Sequence, residues 1–356
     1  TVTIEAKDKD DKVEVTLKDV NIDASSRSEA AVSVTGKGDT TIELDGDNEL
    51  KSGAGHAGLE HNKTDTSGEL TIQDKDKNGS LEAVGGFKGA GIGGGCNGSG
   101  NVTISGGGIT AAGGEGAAGI GGGYYNGATV TITGDAVIKN ASNTKYGAGI
   151  GGGYGYDGDV TISGNAKIEN ATGGYGAAGI GGGAFSSPDK IGNGNVVIKE
   201  NAEIDNVQGG AYGAGIGGGV YGLGNVTIEG NTKVNAAGGA GGAAIADDPD
   251  SAVVGRVGLV AFRPQFFGPV GGHGILAMVD KDELWLFVKG VQPGGQAVLV
   301  GVAGKPAQLP DARLDLHRLA KQLDFLRAVD QRVAQRAGAL VAHEQHGALR
   351  PPKVIL

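Results

Sequence analysis

Aromatic side chains recur on both sides of a repeated glycine-rich motif, and their types and spacing suit ligand binding. After the motif come Tyr124, Tyr154, Phe185 and Tyr221, one in each copy, with Tyr125 and Tyr156 beside them. Before it come Phe87, Tyr146, Tyr175 and Tyr212. If the copies lie in register, the rings form two columns at two edges of one face, with steps of about 5 Å, the spacing of β-strands. Such rings can stack on the apolar faces of sugar units while tyrosine hydroxyls stay hydrated. The alternative is that the rings stack on one another and only shield the glycine-rich corners.

A second candidate site is the acidic turn at residues 74–79, which matches the first half of an Asp-x-Asp-x-Asn-Gly calcium loop. Alternating oxygens from Asp74, Asp76 and Asn78 would wrap a hard cation, and glycine makes the sharp turn. The twelfth position is Gly85, where a complete EF-hand needs glutamate. The pattern therefore predicts at most a half-loop calcium clip, and the alternative is a solvated acidic turn.

Catalytic residues are not evident in the sequence. A lyase needs a cationic base beside a neutralised carboxylate, yet Arg27 is the only arginine before residue 247. A glycoside hydrolase needs two carboxylates converging at about 5–10 Å, and no repeat breaks the pattern to build such a pair. His56 and His61 are expected to be exposed rather than to act as ligands. These observations favour a protein that is not an enzyme.

The elements that position these residues are predicted by the repeat itself. Gly-Ala-Gly-Ile-Gly-Gly-Gly or a close variant recurs around six isoleucines: Ile92, Ile120, Ile150, Ile180, Ile216 and Ile245. Each of the first five copies is followed by a Val-x-Ile segment, such as Val130–Ile132, and then by a third apolar position, such as Ile138. Three short strands per repeat can bury their apolar faces only by stacking on the next repeat. We therefore predict an all-β fold, a parallel β-helix or β-solenoid of about eight three-sided coils over residues 1–246.

The C-terminal segment, residues 247–356, differs abruptly in composition. Eight of the nine arginines lie in it, and the glycine-rich motif is absent. Residues 284–288 have the pattern of a strand, and leucines from Leu316 to Leu340 follow the spacing of an amphipathic helix. The segment is predicted to be α+β or poorly ordered, and to be either a cap on the solenoid or an unrelated tail.

Composition and charge limit the partners. The chain has 356 residues, 73 of them glycine, and a net charge of -10. An acidic chain has no electrostatic reason to bind nucleic acid or an anionic membrane. Cys96 is the single cysteine, so no intrachain disulfide can form. No stretch of about 18 apolar residues is present, so no membrane span is predicted.

A family resemblance rests on two groups of residues. The segments 15–22, 31–34 and 41–50 resemble the opening of a bacterial extracellular carbohydrate-binding right-handed β-helix domain. The Gly-Ala-Gly-Ile-Gly-Gly-Gly array is similar to repeats of large Firmicutes cell-surface proteins. Over residues 1–246 this resemblance implies right-handed winding, an extracellular or cell-surface location, bound calcium and binding of polysaccharides such as plant cell-wall polygalacturonate.

The functional prediction combines these observations. We expect a non-catalytic extracellular module that binds or adheres to polysaccharide through its aromatic columns. Two alternatives stay open: a structural cell-surface stalk without a ligand, and a β-helix polysaccharide lyase or glycoside hydrolase.

Overall fold

Three parallel β-sheets form the walls of a β-solenoid. The computed structural model describes residues 1–143, 145–185, 191–240 and 242–245, together with the backbone of four later strands between 252 and 304. Within these residues the fold is all-β. The consecutive strands of each coil belong to the first, second and third sheets, in that order, and the next coil repeats the order.

The first sheet has very short strands in its glycine-rich part. Its members are β1 (Val2–Ala6), β4 (Val32–Gly36), β7 (Leu59–Glu60), β11 (Ile92–Gly93), β14 (Ile120–Gly121), β17 (Ile150–Gly151), β21 (Ile180–Gly181) and β24 (Ile216–Gly217). These eight strands open coils 1 to 8, in that order. Ile245 forms a further parallel bridge to Ile216.

The second sheet carries the Val-x-Ile segments. Its parallel members are β2 (Lys12–Lys18), β5 (Asp39–Asp45), β9 (Leu70–Gln73), β12 (Ser99–Ile104), β15 (Ala128–Ile132), β18 (Gly158–Ile162), β22 (Gly194–Ile198), β25 (Gly224–Ile228) and β27 (Ala252–Val253). A short strand of coil 3, β8 (Asn62–Lys63), pairs antiparallel with β12.

The third sheet completes each coil. Its members are β3 (Asn21–Asp23), β6 (Asp47–Lys51), β10 (Ser80–Val84), β13 (Gly108–Ala112), β16 (Val137–Ser142), β19 (Lys167–Ile168), β20 (Ala171–Thr172), β23 (Glu203–Gln208) and β26 (Lys233–Ala237). In coil 6 the third side is split between β19 and β20.

The core lies between the three inner faces and is built from columns of like residues. Ile120 pairs with Ile92 and Ile150, Ile132 with Ile104 and Ile162, and Ile138 with Ile109 and Ile168. All of these isoleucines are completely buried. The alternating buried and partly exposed residues of the longer strands show the period of two expected when one face meets the core. The predicted β-solenoid of about eight coils is confirmed.

Glycine is required in the first sheet because neighbouring coils approach too closely for a side chain. Gly121 has a φ of +135°, and a Cβ added to it would lie 2.1 Å from the carbonyl oxygen of Gly151 in the next coil. Only glycine adopts such a backbone conformation without steric cost. The same relation recurs between Gly151 and Gly181, which accounts for the glycine that follows the motif isoleucine in these coils.

Later residues form a separate antiparallel sheet of β28 (Ile275–Asp280), β29 (Glu283–Val291) and β30 (Ala297–Gly304). The strand predicted at 284–288 is therefore confirmed within β29. The chain divides into two compact units, Thr1–Lys305 and Pro306–Leu356, and the second lies outside the described residues. The predicted amphipathic helix also lies outside them, and the domain boundary between residues 246 and 247 stays a prediction.

Candidate ligand-binding ridge

The residues on either side of each first-sheet strand run next to each other. In coil 6 we call residues 145–149 the leading segment and residues 152–157 the trailing segment, and we use the same terms for equivalent residues of other coils. The Ala148 amide nitrogen donates to the Gly152 carbonyl oxygen at 3.0 Å, and Ala118 donates to Gly122 at 2.8 Å one coil earlier. This bond closes the Gly-Ile-Gly turn into a narrow loop. The two segments consequently leave the sheet side by side.

Hydrogen bonds also join each trailing segment to the leading segment of the preceding coil. The Tyr154 nitrogen donates to the Gly116 oxygen at 2.7 Å, and the Tyr124 nitrogen donates to the Lys88 oxygen at 3.1 Å. The rings of Tyr146 and Tyr154 are only 5.0 Å apart, although they come from opposite sides of the motif. The prediction of two aromatic columns at separate edges is therefore wrong. The narrow loop merges them into one aromatic ridge, which comprises the ten predicted aromatic residues.

The register within the ridge also differs from the predicted one. The Ala184 nitrogen donates to the Tyr146 oxygen at 2.7 Å, and the Val220 nitrogen donates to the Gly176 oxygen at 2.6 Å. Ala184 and Val220 thus occupy the position that Tyr124 and Tyr154 hold in earlier coils. Tyr221 lies one residue later, as Tyr125 does, and both have a positive φ of 65° and 62°. Phe185 likewise follows Ala184. The prediction that Phe185 and Tyr221 continue the Tyr124 column is therefore wrong. Both lie one residue after the position that Tyr124 occupies.

One half of the ridge is closed, because its rings pack on one another. Its members are Tyr124, Tyr154 and Phe185, and Tyr125, which is 37% exposed, packs at its edge. Tyr154 is only 9% exposed and lies at the centre. Its ring centroid is 5.2 Å from that of Tyr124, in a stacked arrangement, and 4.6 Å from that of Phe185. The Tyr125 ring lies 5.4 Å from that of Tyr154. Aromatic pairs at such distances stabilise by about 0.5–1.5 kcal/mol beyond burial of their area.

Gly116 makes room for the closed half. It has a φ of +76°, and an added Cβ would lie 2.4 Å from a ring carbon of Tyr124. The absence of a side chain therefore lets the Tyr124 ring lie against the backbone of the preceding leading segment. Burial raises the pKa of the Tyr124 hydroxyl well above its ordinary value, and a hydrogen bond with Tyr125 acts in the same direction.

Lys88 covers the end of the ridge near coil 4. Its ammonium nitrogen lies 4.5 Å from the ring centroid of Tyr124 and 5.2 Å from that of Phe87. Both distances are within the range of a cation–π interaction. Phe87 itself is 54% exposed. The Lys88 cation is therefore engaged by protein rings.

The other half of the ridge is open. Tyr175, Tyr212 and Tyr221 are 56%, 55% and 58% exposed. The ring centroids of Tyr146 and Tyr175 lie 6.2 Å apart in an edge-to-face arrangement, and those of Tyr175 and Tyr212 are also 6.2 Å apart. The trailing segments of coils 7 and 8 carry the small side chains Ala184 and Val220 where those of coils 5 and 6 carry tyrosine, which leaves Tyr175 and Tyr212 uncovered. Tyr156 is partly exposed and precedes the strand of the second sheet in coil 6.

The predicted calcium turn is held by bonds within the protein. The Asp74 carboxylate accepts hydrogen bonds from the backbone nitrogens of Asn78 at 3.2 Å and Gly79 at 2.9 Å. Asp76 and Asn78 are exposed. Across the described ranges, no three histidine, cysteine, aspartate or glutamate side chains are grouped so that they could hold a metal ion. Calcium at Asp74, Asp76 and Asn78 would therefore depend on this turn alone, and its binding stays a prediction.

A polar cluster around the buried Glu60 of coil 3 was missed by sequence reasoning. Glu60 is in register with Gly93, where later coils carry glycine, and this break in the column is the signal that could have identified it. The Glu60 carboxylate lies 2.9 Å from Nδ1 of His56 and accepts the Ala57 amide at 3.0 Å and the Asn62 side chain at 3.2 Å. In coil 3 this cluster takes the place of the glycine-rich loop, and its hydrogen bonds join the residues on the two sides of the strand Leu59–Glu60.

The expectation that His61 is exposed is wrong. Its ring is buried, with Nδ1 3.3 Å from the Val34 carbonyl oxygen and Nε2 3.1 Å from the Gly68 carbonyl oxygen. Burial lowers the pKa of His61 below its ordinary value, although the two carbonyl contacts act in the opposite direction. The ring thus joins three successive parts of the chain and is structural.

Comparison with known families agrees with this geometry. The sequence profile of a family described as "Beta helix repeat" matches residues 77–96, 102–124 and 160–184. The chain carries β-helix repeats. No curated protein and no solved structure matches the chain. The matched residues include Phe87, Tyr124 and Tyr175, so parts of the aromatic ridge lie within these repeats.

The described residues contain no helical segment with the length and apolar character that crossing a bilayer requires.

Proposed function

We propose that this protein is a non-catalytic module of the cell surface that binds polysaccharide through the open half of its aromatic ridge. The observation that carries the proposal is the exposure of Tyr175 and Tyr212 on two consecutive coils, each more than half exposed. Flat rings with hydrated hydroxyls are suited to the mixed apolar and polar faces of sugars. Isolated exposed aromatics are ordinary, but rings repeated along a rigid stack present a continuous surface.

Rigidity of the scaffold supports this function. The leading segment of each coil is hydrogen bonded to its neighbours, as in the bond of 3.0 Å from the Tyr212 nitrogen to the Ala240 oxygen. Tyr212 also has a φ of +68°, a backbone conformation maintained by these neighbours. A pre-positioned side chain loses little conformational freedom when a ligand binds, which favours affinity.

A pull-down on insoluble polysaccharides tests the proposal. The double variant Tyr175→Ala/Tyr212→Ala is expected to lose at least tenfold in retention while keeping its fold by circular dichroism. Thr131→Ala is the matched control, because Thr131 lies on the outer face of the second sheet. Equal retention of the double variant and of the unaltered protein would overturn the assignment of the binding surface.

A structural stalk is the second candidate, and the closed half favours it. Tyr124, Tyr154 and Phe185 pack on each other and shield the glycine-rich backbone, which is a stabilising function that needs no ligand. A stalk predicts that no polysaccharide retains the protein. It also predicts that substitutions at Tyr175 and Tyr212 leave every interaction unchanged.

The absence of catalysis and the extracellular location are parts of the same proposal. Release of reducing sugars, or absorbance from an unsaturated uronate, would replace it with a β-helix hydrolase or lyase. Surface location is testable by protease accessibility in intact cells of the source organism. Intracellular retention would contradict it.

A further inference from the structure

We infer that the polysaccharide bound by the ridge is uncharged, a conclusion that rests on the function proposed above. Recognition of an acidic polymer needs cations placed to meet its carboxylates. Arginine is the usual residue for this purpose, because its guanidinium group offers a planar fork of donors. The solenoid has only Arg27, in the turn between coils 1 and 2, 3.8 Å from Glu29.

The lysines of the ridge are engaged elsewhere. Lys88 lies over the rings of Phe87 and Tyr124 at 5.2 and 4.5 Å. Lys145, which precedes Tyr146, forms an ion pair of 3.1 Å with Glu115 of the preceding coil. Among the described residues of the leading and trailing segments of coils 4 to 8, these are the only cationic side chains. A uronate would have to displace one of these interactions.

The other unpaired charge among the described residues of these segments is negative. Asp157 is exposed beside Tyr156, and one of its carboxylate oxygens accepts the Asn193 amide at 2.7 Å. Among the described residues, no cationic side chain forms an ion pair with this carboxylate. The whole chain has a net charge of -10. An anionic polymer would therefore be repelled both locally and at long range.

The open half offers groups suited to neutral sugars. Around Tyr175 and Tyr212 the leading segments contain only glycine and alanine besides the rings, as in Gly176 and Ala211. A sugar there meets apolar ring surface, tyrosine hydroxyls and backbone, without any charge to desolvate. Burying an unpaired charge is costly, so a surface of this kind discriminates against carboxylates.

Paired polymers that differ only in charge provide the test. The unaltered protein is measured on insoluble cellulose and on cellulose whose primary hydroxyls have been oxidised to carboxylates. It is also measured on polygalacturonate that is fully methyl-esterified and fully de-esterified. We expect retention on a neutral member to exceed that on its acidic partner by at least tenfold at low salt, and the ratio to shrink as salt screens the repulsion.

A charge variant makes the test specific to the ridge. Asp157→Asn is expected to raise retention on the acidic polymers severalfold and to leave retention on the neutral ones unchanged. Glu229→Gln removes the same charge from an exposed position at the end of β25 and is expected to change neither. Equal or tighter binding of the acidic partners would overturn this inference and leave the proposed function intact. Retention on none of the four polymers would overturn both.

Discussion

The closed and open halves of the aromatic ridge are built from the same residue types on the same repeat, yet their side chains have opposite surroundings. Tyr154 is 9% exposed and touches several rings, whereas Tyr212 is 55% exposed. The difference comes from the trailing segment. Coil 6 places Tyr154 beside Tyr146, and coil 8 places Val220 in the position equivalent to Tyr154. One side chain per coil therefore decides whether the neighbouring ring is packed or available.

The largest expected effect is on stability in the closed half. Tyr154→Ala should lower the free energy of unfolding by about 3 kcal/mol, because it leaves a cavity among the rings of Tyr124, Tyr146 and Phe185. Tyr212→Ala should change it by less than about 0.5 kcal/mol, since that ring is largely exposed. Denaturant unfolding of both variants measures these two changes in the free energy of unfolding. Similar losses in the two variants would show that the halves do not differ in packing.

The second prediction compares two glycines with nearly the same backbone conformation. Gly116 and Gly176 have φ values of +76° and +77°, so the backbone cost of alanine is nearly equal at both. A Cβ at Gly116 would lie 2.4 Å from the Tyr124 ring, whereas at Gly176 it would lie 2.9 Å from the Cβ of Ala184. Gly176→Ala should cost about 1 kcal/mol, the penalty of a left-handed residue.

Gly116→Ala should cost about 1 kcal/mol more than Gly176→Ala, because the Tyr124 ring must also move. Thermal and denaturant unfolding provide the comparison. If Gly176→Ala is the more destabilising of the two, the ring of Tyr124 is not held against Gly116 as described.

The third prediction converts the open half into a closed one. Val220→Tyr should place a ring beside Tyr212, as Tyr154 lies beside Tyr146, with a gain of about 1 kcal/mol from the new aromatic pair. Retention on polysaccharide should fall severalfold as Tyr212 is covered. Val220→Leu, which adds volume without a ring, is the control. An unchanged affinity in Val220→Tyr would separate Tyr212 from the binding surface.

The smallest expected effect concerns alkaline pH. The pKa of Tyr124 is raised in the folded protein, so the native state keeps its proton when the unfolded state, with a pKa of about 10, loses it. The resulting stabilisation is complete below about pH 10 and is lost as the pH rises through the folded-state pKa. Between pH 9 and pH 11 the free energy of unfolding should therefore decrease more in the unaltered protein than in Tyr124→Phe. Equal slopes would contradict the burial of that hydroxyl.

The sequence by itself determined the architecture. Apolar residues recur about every thirty positions in groups of three, and only stacking of like coils buries all of them. Ile120, Ile150 and Ile180 pair as their spacing predicts, because a β-ladder relates residues by regular translation. The number of coils and the composition of the core columns follow from the same regularity.

Tertiary structure decided the form of the candidate site. The hydrogen bond that narrows each Gly-Ile-Gly turn brings Tyr146 against Tyr154. The residue pattern does not predict this hydrogen bond. The contact between Val220 and Gly176 likewise depends on a hydrogen bond between loops of neighbouring coils. Strand periodicity is a local property of the chain, whereas packing of loop side chains depends on which backbone groups pair across coils. The burial of His61 has the same origin, since one of its partners, Val34, belongs to the preceding coil.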